Sequence, residues 1–148
     1  MHDARGRWWT IEHTGDLGIE VEAPSLPALF VMGACGMTGV LLGLEGDSPE
    51  PEPESAALSR ELVLEAPDRE ALLVEWLREL LYIHASEGLL FTAAEMVELT
   101  DKELVARASF SSPEDEVSPE RELKGVTYHD LELSRRGDGW FARIVFDL

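Results

Sequence analysis

The chain has 148 residues, one cysteine and a formal net charge of −18. This length is enough to bury a real core, so a single domain over residues 1–148 is predicted. The lone Cys35 excludes an internal disulfide, which agrees with a reducing cytosol. The negative charge would repel a phosphate backbone, so direct nucleic-acid binding is not expected to dominate. No apolar run reaches the roughly 18 residues that span a membrane, and a cytoplasmic location is expected.

A strand pair is predicted at the start of the chain. Residues 7–12 are rich in aromatic and β-branched side chains, and residues 17–22 alternate apolar with acidic side chains. Both patterns are typical of strands. Between them lies the short polar stretch His13-Thr14-Gly15-Asp16-Leu17-Gly18. Its small residues and glycines predict a hairpin with Asp16 at the bend.

Apolar residues spaced three and four positions apart predict the first helix at residues 26–42, with Ser25 as its N-cap. Gly33, Gly36 and Gly39 each weaken such a helix by about 1 kcal/mol relative to alanine. Their regular spacing of three predicts a slim helix face. We therefore expect another part of the molecule to pack closely against these glycines.

The second helix is predicted at residues 69–86, after the N-cap Asp68 and before Gly88. Its stripe of leucine and tryptophan is typical of a core-facing surface. Glu79 lies away from that stripe. His84, near the end of the helix, is expected to cap it or to border the core.

The remaining segments predict strands joined by acidic loops. The segment 89–99 is predicted to be a strand, although the Ala-Ala-Glu-Met residues at its centre also suit a helix. A strand at 124–134 would place the side chains of His129 and Asp130 on opposite faces. The resulting fold class is α+β, with two amphipathic helices layered on a mostly antiparallel sheet and a strand–helix–strand unit that occurs twice. Strands are predicted at residues 57–65, 89–99, 103–110, 124–134 and 140–146, and loops at residues 45–55 and 111–122.

Carboxylates near both ends of the chain are the main candidates for chemistry. Asp16 belongs to the predicted hairpin, and Asp147 precedes Leu148 and its terminal carboxylate. If these ends meet, three anionic groups converge, and a hard cation such as Ca²⁺, Mg²⁺ or Mn²⁺ would stabilise them. Spacing alone leaves open whether they meet. The sequence contains no motif for nucleophilic catalysis and no phosphate-binding glycine loop.

Four segments of the chain carry a family resemblance. They are, in chain order, His13-Thr14-Gly15-Asp16-Leu17-Gly18, the helical residues 71–82, Lys124-Gly125-Val126-Thr127-Tyr128-His129 and the ending Val145-Phe146-Asp147-Leu148. Together these segments resemble the archease family. Gly15 and Gly125 stand where that family has alanine, which is also small. Residues 111–122 depart from the family pattern, so the function of this loop stays open.

The resemblance implies an accessory protein that has no reaction of its own. Archeases promote guanylylation and multiple turnover of the RtcB-type RNA ligase in tRNA splicing and RNA repair. The resemblance implies a divalent cation at Asp16, Asp147 and the carboxylate of Leu148. It also implies a role in activity for Lys124, which could contact nucleotide phosphates or a ligase carboxylate. Glu79 matches an acidic position whose role is unspecified.

Two alternative functions remain open at this point. A small metal-dependent hydrolase would use Asp16, Asp147 and His13, and it would need an open metal position with a base within reach. A chaperone-like modulator of RNA-modifying proteins would use the same fold with a broader range of partners. In the ligase hypothesis, His13 supports the loop by hydrogen bonding and is not itself a ligand.

Overall fold

The computed structural model describes residues 6–13, 15–46, 58–111 and 121–148. Most of the two predicted loops, and residue 57 of the strand predicted at 57–65, lie outside these ranges. The fold is of the predicted α+β class. Its elements are β1 (Arg7–His13), β2 (Asp16–Ala23), α1 (Leu26–Leu41), β3 (Leu58–Glu65), α2 (Arg69–Glu87), β4 (Leu90–Leu99), β5 (Glu103–Ser111), β6 (Gly125–Val126), β7 (Glu132–Arg136) and β8 (Gly139–Asp147).

The strands form two antiparallel sheets with the helices packed against them. The five-stranded sheet follows the order β1-β2-β8-β6, and β7 also pairs with β8; the three-stranded sheet has the order β3-β5-β4. Both predicted strand–helix–strand units are present. The unit β2–α1–β3 connects the two sheets, whereas β3–α2–β4 returns to the same sheet. Because α1 contacts both β2 and β4, the two sheets share one core.

The glycine face of α1 is closely packed at Gly36 and Gly39, as its spacing predicts, but not at Gly33. A Cβ atom on Gly39 would lie 2.3 Å from Cζ2 of the buried Trp8, and one on Gly36 would lie 2.8 Å from Cδ1 of Ile19. On Gly33 it would lie 3.9 Å from the nearest side chain, which is ordinary van der Waals contact. The glycines at the C-terminal half of the helix therefore leave the space that the Trp8 indole of β1 fills.

The caps predicted for α2 are confirmed. The side chain of Asp68 accepts a hydrogen bond of 2.8 Å from the main-chain N–H of Ala71. Gly88 has φ of +75°, and its N–H donates to the carbonyl of His84 at 2.8 Å. The His84 ring lies 3.2 Å from the carbonyl oxygen of Leu89. This histidine thus joins the helix end to the chain that follows it.

Trp76 connects α2 to the rest of the core. Its side chain is completely buried. Its indole Nε1 donates a hydrogen bond of 2.8 Å to the carbonyl of Phe30 in α1. Its ring meets Phe91 of β4 edge to face, with 6.0 Å between the centroids. One side chain therefore contacts both α1 and the three-stranded sheet.

The strand predicted at residues 124–134 is wrong, because the chain forms two short strands there. Val126 of β6 pairs with Phe146, whereas Glu132 of β7 pairs with Arg143. More residues lie between the two strands than the matching stretch of β8 can pair. The surplus forms a turn, in which Asp130 has φ of +52°. His129 and Asp130 therefore do not lie on opposite faces of a strand.

Residues 90–99 form a strand, as predicted, and the alternative of a helix at the centre of this segment is wrong. β4 pairs along most of its length with β5, and its register shifts between Phe91 and Ala93 and between Met96 and Glu98. This pairing outweighs the local helical preference of the alanines and the glutamate.

Among the helices of the described ranges, none is long and apolar enough to cross a membrane.

Candidate functional site

The candidate site begins at the β1–β2 hairpin. His13 pairs with Asp16, so two residues connect the strands. Gly15 in this connection has φ of +80°, a conformation that is accessible to glycine because it lacks a Cβ atom. Asp16 is half-buried and is the first residue of β2, not the bend itself. The side chain of His13 lies outside the described part of the structure, so its predicted supporting role stays a prediction.

Asp16 and Asp147 lie on neighbouring strands of the larger sheet. The antiparallel register pairs Leu17 with Phe146, and Asp16 and Asp147 are the next residues on β2 and β8. Opposite residues of an antiparallel pair project to the same face, with Cβ atoms roughly 4.5–5.5 Å apart. The exposed Leu148 follows directly. Asp16 and Asp147 thus belong to the same end of the five-stranded sheet.

Lys124 lies on the other side of the last strand. Gly125 pairs with Asp147, and the N–H of Lys124 donates to the Asp147 carbonyl at 2.7 Å. The N–H and Oγ1 of Thr127 both donate to the carbonyl of Val145, at 3.0 Å and 2.9 Å. The Lys124 side chain is exposed. Asp147 is therefore flanked by β2 on one side and by the lysine segment on the other.

Arg78 holds the lysine segment against α2, and sequence reasoning missed it. Its Nε donates a hydrogen bond of 3.0 Å to the carbonyl of Val126. Its guanidinium carbon lies 5.1 Å from the ring centroid of Tyr128, and Nη1 lies 3.5 Å from the carboxylate of Glu75. The sequence shows only that Arg78 is a basic residue on the polar side of α2. Such a residue usually forms a solvent-exposed ion pair with a residue three positions away, and Arg78 also forms this pair, with Glu75.

Arg78→Leu is expected to loosen β6 and to lower the free energy of unfolding by about 1–2 kcal/mol, since a charged hydrogen-bond donor and a ring contact are lost. Amide hydrogen exchange at Thr127, whose N–H bonds to β8, should become faster. Arg107→Leu is the matched control, because Arg107 is exposed and pairs with Glu95 at 3.4 Å on the other sheet. Equal exchange rates at Thr127 in both variants would contradict a positioning role for Arg78.

Glu79 lies on a different part of α2. The pKa of Arg60 in β3 is raised by its hydrogen bond to Glu87 and, more weakly, by the carboxylates of Glu87 and Glu79. In turn, the Arg60 guanidinium lowers the pKa of Glu87. Glu79 is thus within electrostatic range of the three-stranded sheet, while its neighbour Arg78 contacts β6. Its implied role in activity stays a prediction.

The donors at the sheet end suit a hard cation in type but are few in number. Over residues 6–13, 15–46, 58–111 and 121–148, no group of three or more His, Cys, Asp or Glu side chains is arranged to hold a metal ion. Asp16 and Asp147 offer two side-chain carboxylates, and the predicted third ligand, Leu148, follows Asp147 directly. Oxygen donors suit Ca²⁺, Mg²⁺ or Mn²⁺ better than soft metals. A cation here would therefore need water in its remaining positions.

The fold and the site define a small acidic α+β protein in which Asp16 and Asp147 lie at one end of the larger sheet. The chain belongs to the archease family, because residues 8–148 match the model of the Archease protein family (MTH1598/TM1083). This match covers every described helix and all but the first residue of the first strand.

Relatives and solved structures agree with this assignment. The archease of Pyrococcus abyssi is 35% identical over 147 residues, covering 96% of this chain and 99% of the relative. That of Methanosarcina mazei is 34% identical over 143 residues, covering 93% of each chain. The solution structure of protein 1598 from Methanobacterium thermoautotrophicum is 28% identical, with a TM-score of 0.73 over 95% of this chain and 98% of that one. An archease and possible chaperone from Thermotoga maritima shares the fold at 19% identity and a TM-score of 0.57, over 93% and 94% of the two chains.

Proposed function

We propose that this protein is a metal-binding accessory factor that stimulates guanylylation and multiple turnover of an RtcB-type RNA ligase in the cytoplasm. In this proposal it catalyses no reaction of its own. A divalent cation binds at the end of the five-stranded sheet, on the carboxylates of Asp16, Asp147 and the terminal Leu148.

The observation that carries the proposal is the register of β2 against β8. It pairs Leu17 with Phe146, so Asp16 and Asp147 are the next residues on two adjacent strands, although they are far apart in sequence. Carboxylates on adjacent strands repel each other, and a cation bound between them would offset that repulsion. Membership of the archease family supports the same assignment. The net charge of −18 favours a protein partner over direct contact with RNA.

In this proposal, the residues of the site have different roles in positioning a nucleotide in the ligase. When bound, a hard cation neutralises phosphate charge and orients phosphate oxygens. Asp16 and Asp147 hold it at a fixed place, because each lies on a paired strand. The exposed ammonium of Lys124 contacts a nucleotide phosphate or a ligase carboxylate. Arg78 keeps the lysine segment against α2 through its hydrogen bond to Val126.

Asp16→Asn is expected to weaken cation binding and to reduce stimulation of ligase guanylylation by about 10- to 100-fold, since one anionic ligand becomes neutral. Cation affinity is measured by calorimetry on the isolated protein, and stimulation by the rate of covalent nucleotide incorporation into the ligase. Asp138→Asn is the control, because Asp138 is exposed in the β7–β8 turn. One glycine added after Leu148 should have a similar effect to Asp16→Asn, since it displaces the terminal carboxylate.

Three results would contradict this proposal. Unaltered stimulation by Asp16→Asn would remove the role of the cation site. Cation-dependent hydrolysis of phosphoesters by the isolated protein would favour the hydrolase that uses Asp16, Asp147 and His13. Stimulation of other RNA-modifying proteins without any effect on the ligase would favour a chaperone-like modulator.

A further inference from the structure

A cavity of about 580 Å³ lies at the opposite end of the five-stranded sheet from Asp16 and Asp147. β2 ends there at Ala23, and β8 begins there with Trp140 opposite it. The cavity has an apolar wall that includes Ala23, Pro24 and Trp140, and charged side chains at its border. Its volume falls within the range of pockets for small molecules, roughly 300–1,000 Å³. It is separate from the proposed cation site because the length of β2 and β8 lies between them.

Arginines are concentrated around this cavity. Arg7 and Arg136 line it, and the guanidinium groups of Arg69 and Arg135 lie 5.2 Å and 5.3 Å from the ring centroid of Trp140. The whole chain has 12 lysines and arginines against 30 acidic residues. Two of those basic residues line this one cavity beside a single carboxylate, that of Glu22, so its lining departs from the acidic balance of the chain. An excess of positive charge in a lining favours an anionic ligand.

Aromatic rings and carboxylates fix the two lining guanidinium groups. Arg7 lies 5.0 Å from the centroid of Trp9, and its Nε donates to Glu22 at 3.0 Å. Arg136 lies 3.6 Å from the centroid of Phe141, while its contact with a carboxylate is a long one of 3.4 Å. Stacking orients a guanidinium without using its N–H donors. Arg136 in particular keeps donor capacity for an incoming anion.

The remaining wall determines what the anion must carry. An inorganic ion would leave the apolar side uncovered, and an uncharged apolar ligand would desolvate two guanidinium groups. A metal cation would be repelled by them. The carboxylate of Glu22, which also lines the cavity, can accept a hydrogen bond from an N–H or hydroxyl group. The best match is a small flat molecule that carries donors and one phosphate.

We propose that this cavity binds a nucleoside monophosphate. Its phosphate contacts Arg136 and Arg7, its base lies against the apolar wall of Ala23, Pro24 and Trp140, and Glu22 accepts a hydrogen bond from the base or sugar. This site goes beyond the proposed function, since it lies away from Asp16 and Asp147 and needs no cation. The negative charge of the chain restricts it to a small ligand in place of a nucleic-acid strand.

The test is a calorimetric titration of the full chain with adenosine monophosphate, at low salt and with a chelator so that no cation takes part. Saturable binding is expected, with adenosine and inorganic phosphate each at least tenfold weaker. Arg136→Gln should weaken binding of the monophosphate at least tenfold, since it removes a charge-assisted contact. Arg107→Gln is the matched control, an exposed arginine of the other sheet, and Asp16→Asn should bind like the wild type.

Thermal unfolding of each variant separates a lost contact from a lost fold. The proposal is overturned if no saturable binding occurs, or if Arg136→Gln binds as the wild type does. Phosphate that binds as tightly as the monophosphate would also overturn it, because the apolar wall would then contribute nothing. Loss of binding in Asp16→Asn alone would place the ligand at the cation site instead.

Discussion

Gly39→Ala is expected to lower the free energy of unfolding by about 2 kcal/mol. The added methyl group would lie 2.3 Å and 2.5 Å from two ring carbons of Trp8, which is buried and has little room to move. Overpacking of this severity costs about 3 kcal/mol, and the better helix propensity of alanine returns about 1 kcal/mol. Urea unfolding followed by far-ultraviolet circular dichroism measures the difference.

Gly33→Ala provides the matched control in the same helix, and its effect should have the opposite sign. Its methyl group would lie 3.9 Å from Leu73, in ordinary van der Waals contact, so only the gain in helix propensity affects stability. The expected gain is about 0.5–1 kcal/mol. If both variants change stability in the same direction, the close packing of Trp8 on α1 does not explain the glycines.

Trp76→Ala should have the largest effect on stability of the changes considered, about 3–5 kcal/mol. The variant loses a completely buried ring, its edge contact with Phe91 and its hydrogen bond to Phe30. Domains of this kind are commonly stable by only about 5–15 kcal/mol, so a large share of the protein should unfold at moderate temperature. The shift in the midpoint of urea unfolding measures the loss.

Tyr82→Ala is the control for that experiment. Tyr82 lies on the same helix, but its side chain is 66% exposed. Its replacement should change stability by no more than about 0.5 kcal/mol. A loss comparable to that of Trp76→Ala would mean that α2 responds to any aromatic deletion, irrespective of burial.

Much of the fold could be predicted because it depends on local patterns. Ser25 and Asp68 mark helix starts through hydrogen bonds to main-chain N–H groups three residues ahead. The alternation in residues 17–22 identifies a strand with one buried face. Even the close packing on Gly36 and Gly39 could be inferred, since three glycines at regular spacing in a helix need a steric reason.

The failures arose where a distant strand decides the outcome. The β-branched and apolar residues after Lys124 suit one long strand, but two separate stretches of β8 pair with them. The turn at His129 and Asp130 follows from that mismatch in length, which local sequence does not contain. The alanine-rich centre of β4 is extended for a related reason, because β5 pairs with it.

In the candidate site too, residue types could be predicted from the sequence, whereas contacts between distant segments could not. Asp16 and Asp147 could be selected from residue type and from the family resemblance. Their position on adjacent strands depends on the register of β2 and β8, which the sequence alone leaves open. Arg78 could not be found, because its main contact is the carbonyl of Val126, and a main-chain acceptor has no sequence signature. The arginine-lined cavity could not be predicted from the sequence, because Arg7 and Arg136 are far apart in the chain and are brought together only by the fold.

The central place of β8 has a consequence for synthesis on the ribosome. This strand follows β2, β6 and β7 in the chain, yet all three of them pair with it. Until β8 has been synthesised, β2 presents an unpaired edge, and an isolated hairpin of β1 and β2 is marginally stable at best. Pairing across most of the chain also slows folding. Asp16 and Asp147 therefore come to lie on adjacent strands only after β8 has been synthesised and has paired with β2.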